Sequence, residues 1–260
     1  MVRVMRRPVL TRRQPGHSPE DLRAGWWSWA AALPWRRSVA SSRYLWPVRL
    51  CQEDVTARGL VRDAGVVCLR ELRPGDEEEW LRLRLSEAGR LAPWEATCPS
   101  QARQDLPTFA DYVRQQARRA RQGQAMPFVL EVDGMLAGQV SADPIQWGSV
   151  RSAQVGYWVA SAYEGRGVMR LAVAMAVDHL LGPQVGLHRV EVNVRPGNRR
   201  SIALCRALGL REEGLRRAFM HIDGDWADHV SFAVLSEELG GAGMVARLEA
   251  RAQTRGACDS

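Results

Sequence analysis

The chain has 260 residues and a mass of 29.0 kDa, enough for one domain of roughly 150 to 200 residues with an appendage. Hydrophobic residues at 46% and charged residues at 25% exclude collagen, coiled coil and wholesale disorder, and no apolar run approaches the roughly 18 residues that a membrane-spanning helix needs. The net charge of +7 is concentrated at one end: residues 1–50 hold ten Arg against Glu20 and Asp21, whereas residues 51–260 hold 26 Arg against 27 acids, so the body offers no electrostatic reason to bind nucleic acid.

Five cysteines, Cys51, Cys68, Cys98, Cys205 and Cys258, are odd in number and contain no C-x-x-C pair. Neither a disulfide framework nor a metal site is therefore expected, and a reducing cytoplasm fits best. Residues 1–45 place Trp26, Trp27, Trp29 and Trp35 among Arg, Ser and Pro without a period that would bury a face. They read as a disordered or mis-annotated extension, as an Arg-rich transit peptide, or as a Trp/Arg anchor at a membrane surface.

Patterning begins at Ala64, and Val66–Leu72 reads as a first strand. Asp76 is expected to cap a helix that runs through about Ser86. Phe109, Tyr112, Val113 and Ala117 recur at helical spacing, and residues 127–142 form two strands about Asp133-Gly134, a strong hairpin signal. A strand from about Ala153 to Ala160 precedes a Gly-rich turn and a helix from Arg166 to about Leu181 with an apolar face of Leu171, Ala174, Met175 and Val177. Residues 187–194 alternate as a strand, Asn198 opens a helix that Gly209 ends, and two strands follow near Arg217–Ile222 and Ala227–Leu235. This order predicts one mixed α/β domain, a sheet of about seven strands flanked by about four helices. The stretch after Glu238 declares no role and is expected as a tail over residues 239–260.

The passage Glu164-Gly165-Arg166-Gly167-Val168-Met169 is the most informative local feature. Its glycines let the backbone fold closely, and the helix that follows presents unpaired N–H groups at its positive end, which suits a pyrophosphate. It is not a Rossmann fingerprint, since Arg170 falls where a third glycine is needed, and no Gly-Lys-Ser/Thr makes it a P-loop.

Taken with Val155-Gly156-Tyr157-Trp158-Val159, His188-Arg189-Val190-Glu191-Val192, Asn198-Arg199-Arg200-Ser201 and Gly209–Leu215, that passage resembles the Gcn5-related N-acetyltransferase (GNAT) superfamily over about residues 45–238. Pro93-Trp94-Glu95 and Ile222–His229 are similar to its RimJ branch, the N-terminal alanine acetyltransferases of ribosomal proteins. The resemblance implies a GNAT-type acyl-CoA N-acyltransferase fold over residues 46–238, with a mostly antiparallel sheet, and acetyl-CoA as donor without a metal. It further implies that the amides of Gly165, Arg166, Gly167, Val168 and Met169 take the pyrophosphate, that Asn198 contacts pantetheine, and that a backbone N–H near Val159 faces the thioester oxygen.

Acetyl transfer to an amine needs a neutral nucleophile, a polarised thioester and a proton for the departing thiolate. An α-amine of pKa near 7.7–8.0 is roughly 10% neutral at pH 7, against roughly 0.04% for a lysine amine, so an N-terminal acceptor asks less of a base. The position where many members carry a tyrosine for the thiolate is Cys205, leaving Ser201, on the same helical face as Asn198, as candidate acid. Gln154 and Ser161 stand where relatives carry acids. Candidate bases are Glu191 and Glu95, then His221 and Asp228. Glu191 could equally face solvent or an Arg on its strand, Glu95 could cap a short helix, and the two histidines near residues 221–229 could simply satisfy local partners. Trp94, Tyr157 and Asp228 are expected at the acceptor.

The expected activity is acetyl transfer to the α-amine of an Ala- or Ser-initiated protein, such as a ribosomal protein, by a cytoplasmic monomer or homodimer with no nucleic-acid or membrane partner. The alternatives are acetylation of a small amine or antibiotic, and a non-catalytic acyl-CoA-binding module.

Overall fold

A computed structural model describes residues 45–99 and 107–258; the Arg/Trp-rich extension, but for its last residue, falls outside the described residues. In chain order the elements are β1 (Leu50–Gln52), β2 (Val67–Glu71), α1 (Glu77–Leu91), α2 (Phe109–Arg121), β3 (Met126–Val132), β4 (Met135–Gln146), β5 (Ser152–Val159), α3 (Val168–Leu181), β6 (Arg189–Val194), α4 (Arg199–Leu208), β7 (Arg211–Ile222), β8 (Asp225–Leu235) and α5 (Gly243–Cys258). The strands form one sheet in the order β1-β2-β3-β4-β5-β6-β8-β7. All neighbours in it are antiparallel except β5 and β6.

The sheet therefore has eight strands where seven were expected, and the described residues hold five helices rather than four. The extra strand is β1, three residues whose alternation is too short to stand out in the sequence. Pairing with β2 sets Cys51 opposite Cys68, and the two are joined by a disulfide with a Cα–Cα separation of 4.2 Å. This corrects the expectation of no disulfide. Sequence spacing carries no trace of a cross-strand register, and the partners lie 17 residues apart.

The Asp133-Gly134 hairpin forms between β3 and β4, both residues taking positive φ, and the Asp133 carboxylate also accepts the Gly65 and Val66 amides at 2.9 and 2.7 Å. Asp76 precedes α1 but makes no side-chain cap to it. Its carboxylate instead accepts the Arg73 amide at 2.8 Å and the buried Arg70 guanidinium at 2.8 Å, tying the turn to β2.

Helix α3 is the centre of the core. The four apolar positions expected to form one face are joined by Val168, Ala172, Val173, Ala176 and Leu180, all at most 1% exposed, so the helix is buried nearly all round. One reason is α5, which packs against α3 and sets Met244 and Leu248 into the same core. The α3 residue Asp178 accepts the Met244 and Val245 amides at 2.5 and 2.9 Å, capping α5 from a neighbouring helix. The stretch after Glu238 thus contributes a packed helix. A second, smaller cluster of Trp80, Leu83, Phe109, Val113, Val129, Leu136 and Ala160 seats α1 and α2 on the other face of the sheet.

Candidate functional site

Strands β5 and β6 pair over three positions only, Ser152↔Arg189, Ala153↔Val190 and Gln154↔Glu191. Beyond them β5 continues on β4 through Val159, and β6 continues on β8 through Val194, so the two strands part. A register irregularity in β4 between Ala142 and Ile145 lies beside the last shared pairs, the kind of feature that bends a strand. The Ala160 amide donates to Ala137 on the β4 side at 2.8 Å. Since successive residues of an antiparallel pair alternate in direction, the Val159 amide points the other way, into the split. The Val159 carbonyl accepts from Arg90 of α1, whose guanidinium also pairs with Glu87 and Glu164, each at 2.6 Å.

After β5 the chain makes one turn of 3-10 helix, Ser161–Tyr163, and enters α3 through Gly165 (φ +69°) and Gly167 (φ +89°). Gly167 has to be glycine, because a Cβ there would stand 2.9 Å from the Leu60 carbonyl. The loop before β2 clasps the outside of this turn. The Arg62 amide donates to the Arg166 carbonyl at 2.8 Å, and the Arg62 guanidinium donates to the Gly165 carbonyl at 2.6 Å. With their carbonyls held, the amides of Gly165, Arg166, Gly167, Val168 and Met169 hydrogen-bond to no other described residue. A run of unpaired amides at the start of a fourteen-residue helix suits an anion.

Glu87 is buried under the same turn. Burial works against its charge, but the Ser161 amide at 2.9 Å, the Ser161 hydroxyl at 2.8 Å and Arg90 together hold its carboxyl below the ordinary glutamate range. Glu164 also pairs with Arg200 of α4. Arg62, Glu87 and Arg90 were not singled out from sequence, because nothing local distinguishes them from surface charge.

On the other side of the split, Asn198 caps α4 by accepting the Ser201 amide at 3.1 Å. The Ser201 hydroxyl meets the Tyr157 hydroxyl of β5 at 2.7 Å, and Tyr157 lies 3.8 Å from the Cys205 sulfur one turn on. Cys205 is fully buried, and burial pushes its thiol up to about 11. Tyr157 is partly buried and packs against the core that surrounds α3. Its neighbour Trp158 points the opposite way, meeting Trp80 at 5.7 Å beneath the Arg84 guanidinium.

Both expected carboxylate bases are in ion pairs. Glu191 accepts Arg189 at 2.7 Å and Arg216 at 3.1 Å, and Glu95 accepts Arg84. His221 meets the Thr97 hydroxyl at 2.7 Å through Nδ1, and Asp228 accepts the Ala218 amide at 2.8 Å. His229 is buried; burial lowers its pKa, and its Nδ1 meets the Ala227 carbonyl at 3.0 Å. Trp94 and Asp228 do come together, around a cavity of about 440 Å³ that Arg195, Ile222, Asp225 and Trp226 also line.

The acetyltransferase (GNAT) domain model matches residues 67–211, and the chain belongs to that family. Among solved structures it is similar to Mycobacterium smegmatis RimJ in complex with CoA-disulfide, at 37% identity and a TM-score of 0.69, over 79% of this chain and 95% of that one. It is 35% identical over 106 residues to the probable N-acetyltransferase YjcK of Bacillus subtilis, covering 41% of this chain and 58% of the relative. To the [ribosomal protein uS5]-alanine N-acetyltransferase of Escherichia coli it is 33% identical over 91 residues, covering 35% of this chain and 46% of that one. The chain thus spans about half the length of these two curated relatives. No helix among the described residues is long and apolar enough to cross a membrane.

Proposed function

We propose that the domain, α5 included, is an acetyl-CoA-dependent N-acetyltransferase whose acceptor is the α-amine of a protein beginning with Ala or Ser. The observation that carries this reading is the run of unpaired amides at Gly165–Met169 opening beside the split between β5 and β6, with Ser201 at its rim. Those amides and the α3 N-terminus fit a diphosphate, and the parted edge of β5 fits an extended amide-bearing chain that adds to it as a strand would. Asn198 sits where such a chain would pass.

Acetyl-CoA supplies the activated acyl group; the protein supplies position and protons. The Val159 amide faces the split, and a backbone donor aimed at a developing oxyanion is typically worth about 2.7–4 kcal/mol. Ser201 donates a proton toward the departing sulfur. The amine nitrogen bonds to the acyl carbon as the carbon–sulfur bond breaks, so the amine loses one proton and the thiolate gains one.

The base question selects the acceptor. Glu191 and Glu95 are both engaged by guanidinium groups, Arg189 and Arg216 on the first and Arg84 on the second, so neither is a carboxylate left free to serve the acceptor. An α-amine, roughly 10% neutral at pH 7, asks less of a base than a lysine amine, roughly 0.04% neutral. This weighs against the small-amine reading. The similarity to the [ribosomal protein uS5]-alanine N-acetyltransferase supports a ribosomal protein as acceptor.

The test is to mix the protein with acetyl-CoA and an Ala-initiated peptide, follow free thiol release and locate the acetyl group by mass spectrometry. Acetylation at the α-nitrogen is the expected result. Turnover on small amines alone, or CoA binding with no turnover on any amine, contradicts it.

A further inference from the structure

The hydroxyl pair of Tyr157 and Ser201 joins β5 to α4 beside the split. Tyr157 has two polar neighbours among the described residues, Ser201 at 2.7 Å and the Cys205 sulfur at 3.8 Å, and Ser201 Oγ has no hydrogen-bond partner among them other than Tyr157. Two hydrogen-bond directions are available. If Ser201 donated to Tyr157, the phenol would have to spend its own proton on a distant sulfur, a weak acceptor. If Tyr157 donates to Ser201, the stronger acid gives the short bond, the Cys205 thiol can donate to the phenol oxygen, and the Ser201 hydrogen is left to point outward. The second arrangement gives each oxygen of the pair a donor and leaves the Ser201 hydrogen free for a group in the split. Burial, followed by the neighbouring Cys205, raises the Tyr157 pKa, and burial raises that of Cys205, so both stay protonated near neutral pH.

We infer that Tyr157 is a positioning residue, which by donating its hydroxyl hydrogen to Ser201 Oγ turns the Ser201 proton into the split, toward the sulfur of a departing thiol. This rests on the acyl-CoA reading of the split and assigns Tyr157 a role separate from the acceptor side, where the sequence placed it. The serine acts on the sulfur; the tyrosine acts through the serine. A serine hydroxyl whose oxygen already accepts a hydrogen bond is also a stronger donor, because chained hydrogen bonds polarise one another. Cys205 closes the chain beneath.

The test reads the acidity of the thiol itself. Coenzyme A held by saturating protein is titrated through the ultraviolet absorbance of its thiolate, each protein without ligand being subtracted, for the wild type, Tyr157→Phe, Ser201→Ala and the double variant. Phenylalanine keeps the ring and its packing. We expect Ser201→Ala to make the bound thiol less acidic by about tenfold, Tyr157→Phe to produce most of that change, and the double variant to add little. In turnover, Tyr157→Phe lowers kcat about 5-fold with KM for acetyl-CoA unchanged, since the contact it removes acts on the leaving group. A bound thiol equally acidic in Tyr157→Phe and wild type, or effects of the two substitutions that simply add, overturns the inference. So does a thiol insensitive to Ser201→Ala. The acceptor reading fails separately, by wild-type protein that binds coenzyme A and acetylates no Ala-initiated peptide, and the titration still decides Tyr157 in that case.

Discussion

Gly167 shows how much of the site rests on single atoms. Its φ of +89° and the Leu60 carbonyl 2.9 Å from any Cβ leave no room for a side chain. Gly167→Ala should shift the turn, cut coenzyme A affinity by about tenfold or more in calorimetry and lower the melting temperature, since a left-handed non-glycine residue costs roughly 1–2 kcal/mol before the clash. Ser201→Ala should leave that affinity nearly intact and lower kcat by about tenfold, which steady-state kinetics separates from a KM effect. Glu87 makes a pH prediction. Its folded pKa lies below the ordinary 4.5, so its stabilising contribution is complete above that value and is lost as the pH falls through the lowered one. Denaturant unfolding of wild type and Glu87→Gln should therefore differ most at neutral pH and converge in acid; a gap independent of pH contradicts the ion-paired carboxylate. The Asn198 cap on the Ser201 amide and the glycine turn into α3 were legible in the sequence because caps and tight turns are made within a few residues. Tyr157 was singled out only as an aromatic expected at the acceptor, because its partner lies 44 residues away on another element. The pairing depends on which face of β5 meets α4, and no local pattern encodes that.

At the level of elements, what a sequence reveals tracks how much of each element's burial is periodic. The Asp133-Gly134 hairpin and the Asn198 and Gly209 ends of α4 carry their own turn and cap chemistry and sit where the residues put them. Helix α3 was read as amphipathic on four apolar positions, yet it is buried nearly all round because α5 covers it. Helix α5 itself offers Met244 and Leu248 one turn apart, too thin a stripe among Arg, Ala and Gly to distinguish a packed helix from a tail. Its docking is nonetheless specific: Asp178 caps it, Arg58 pairs with Glu249 at 2.7 Å, and Arg251 donates to the Ala207 carbonyl at the end of α4 at 2.7 Å. Leu248→Ala should destabilise the protein by about 2–5 kcal/mol, as for other core leucines. Equilibrium unfolding checks this, and a loss within ~0.5 kcal/mol, typical of a surface site, would mean that α5 does not belong to the core.

The whole molecule is organised around one interruption. A sheet that is otherwise antiparallel contains a single parallel pair, joined through α3, and that pair separates after three positions. The parting places the free edge of β5, the amide-rich entry to α3 and the first turn of α4 around one space, while α1 ties the end of β5 to the turn through Arg90 and Glu164. The order of elements was legible because each strand and helix carries its own period. The split has no signature in the sequence, since strand divergence is a property of the sheet and of no single segment. Backbone hydrogen exchange tests the central claim most directly. With saturating coenzyme A, the amides of Gly165–Met169 should exchange much more slowly than in the protein alone, while those of α2, on the opposite face, stay unchanged. Unaltered exchange across Gly165–Met169 at millimolar coenzyme A would contradict the account.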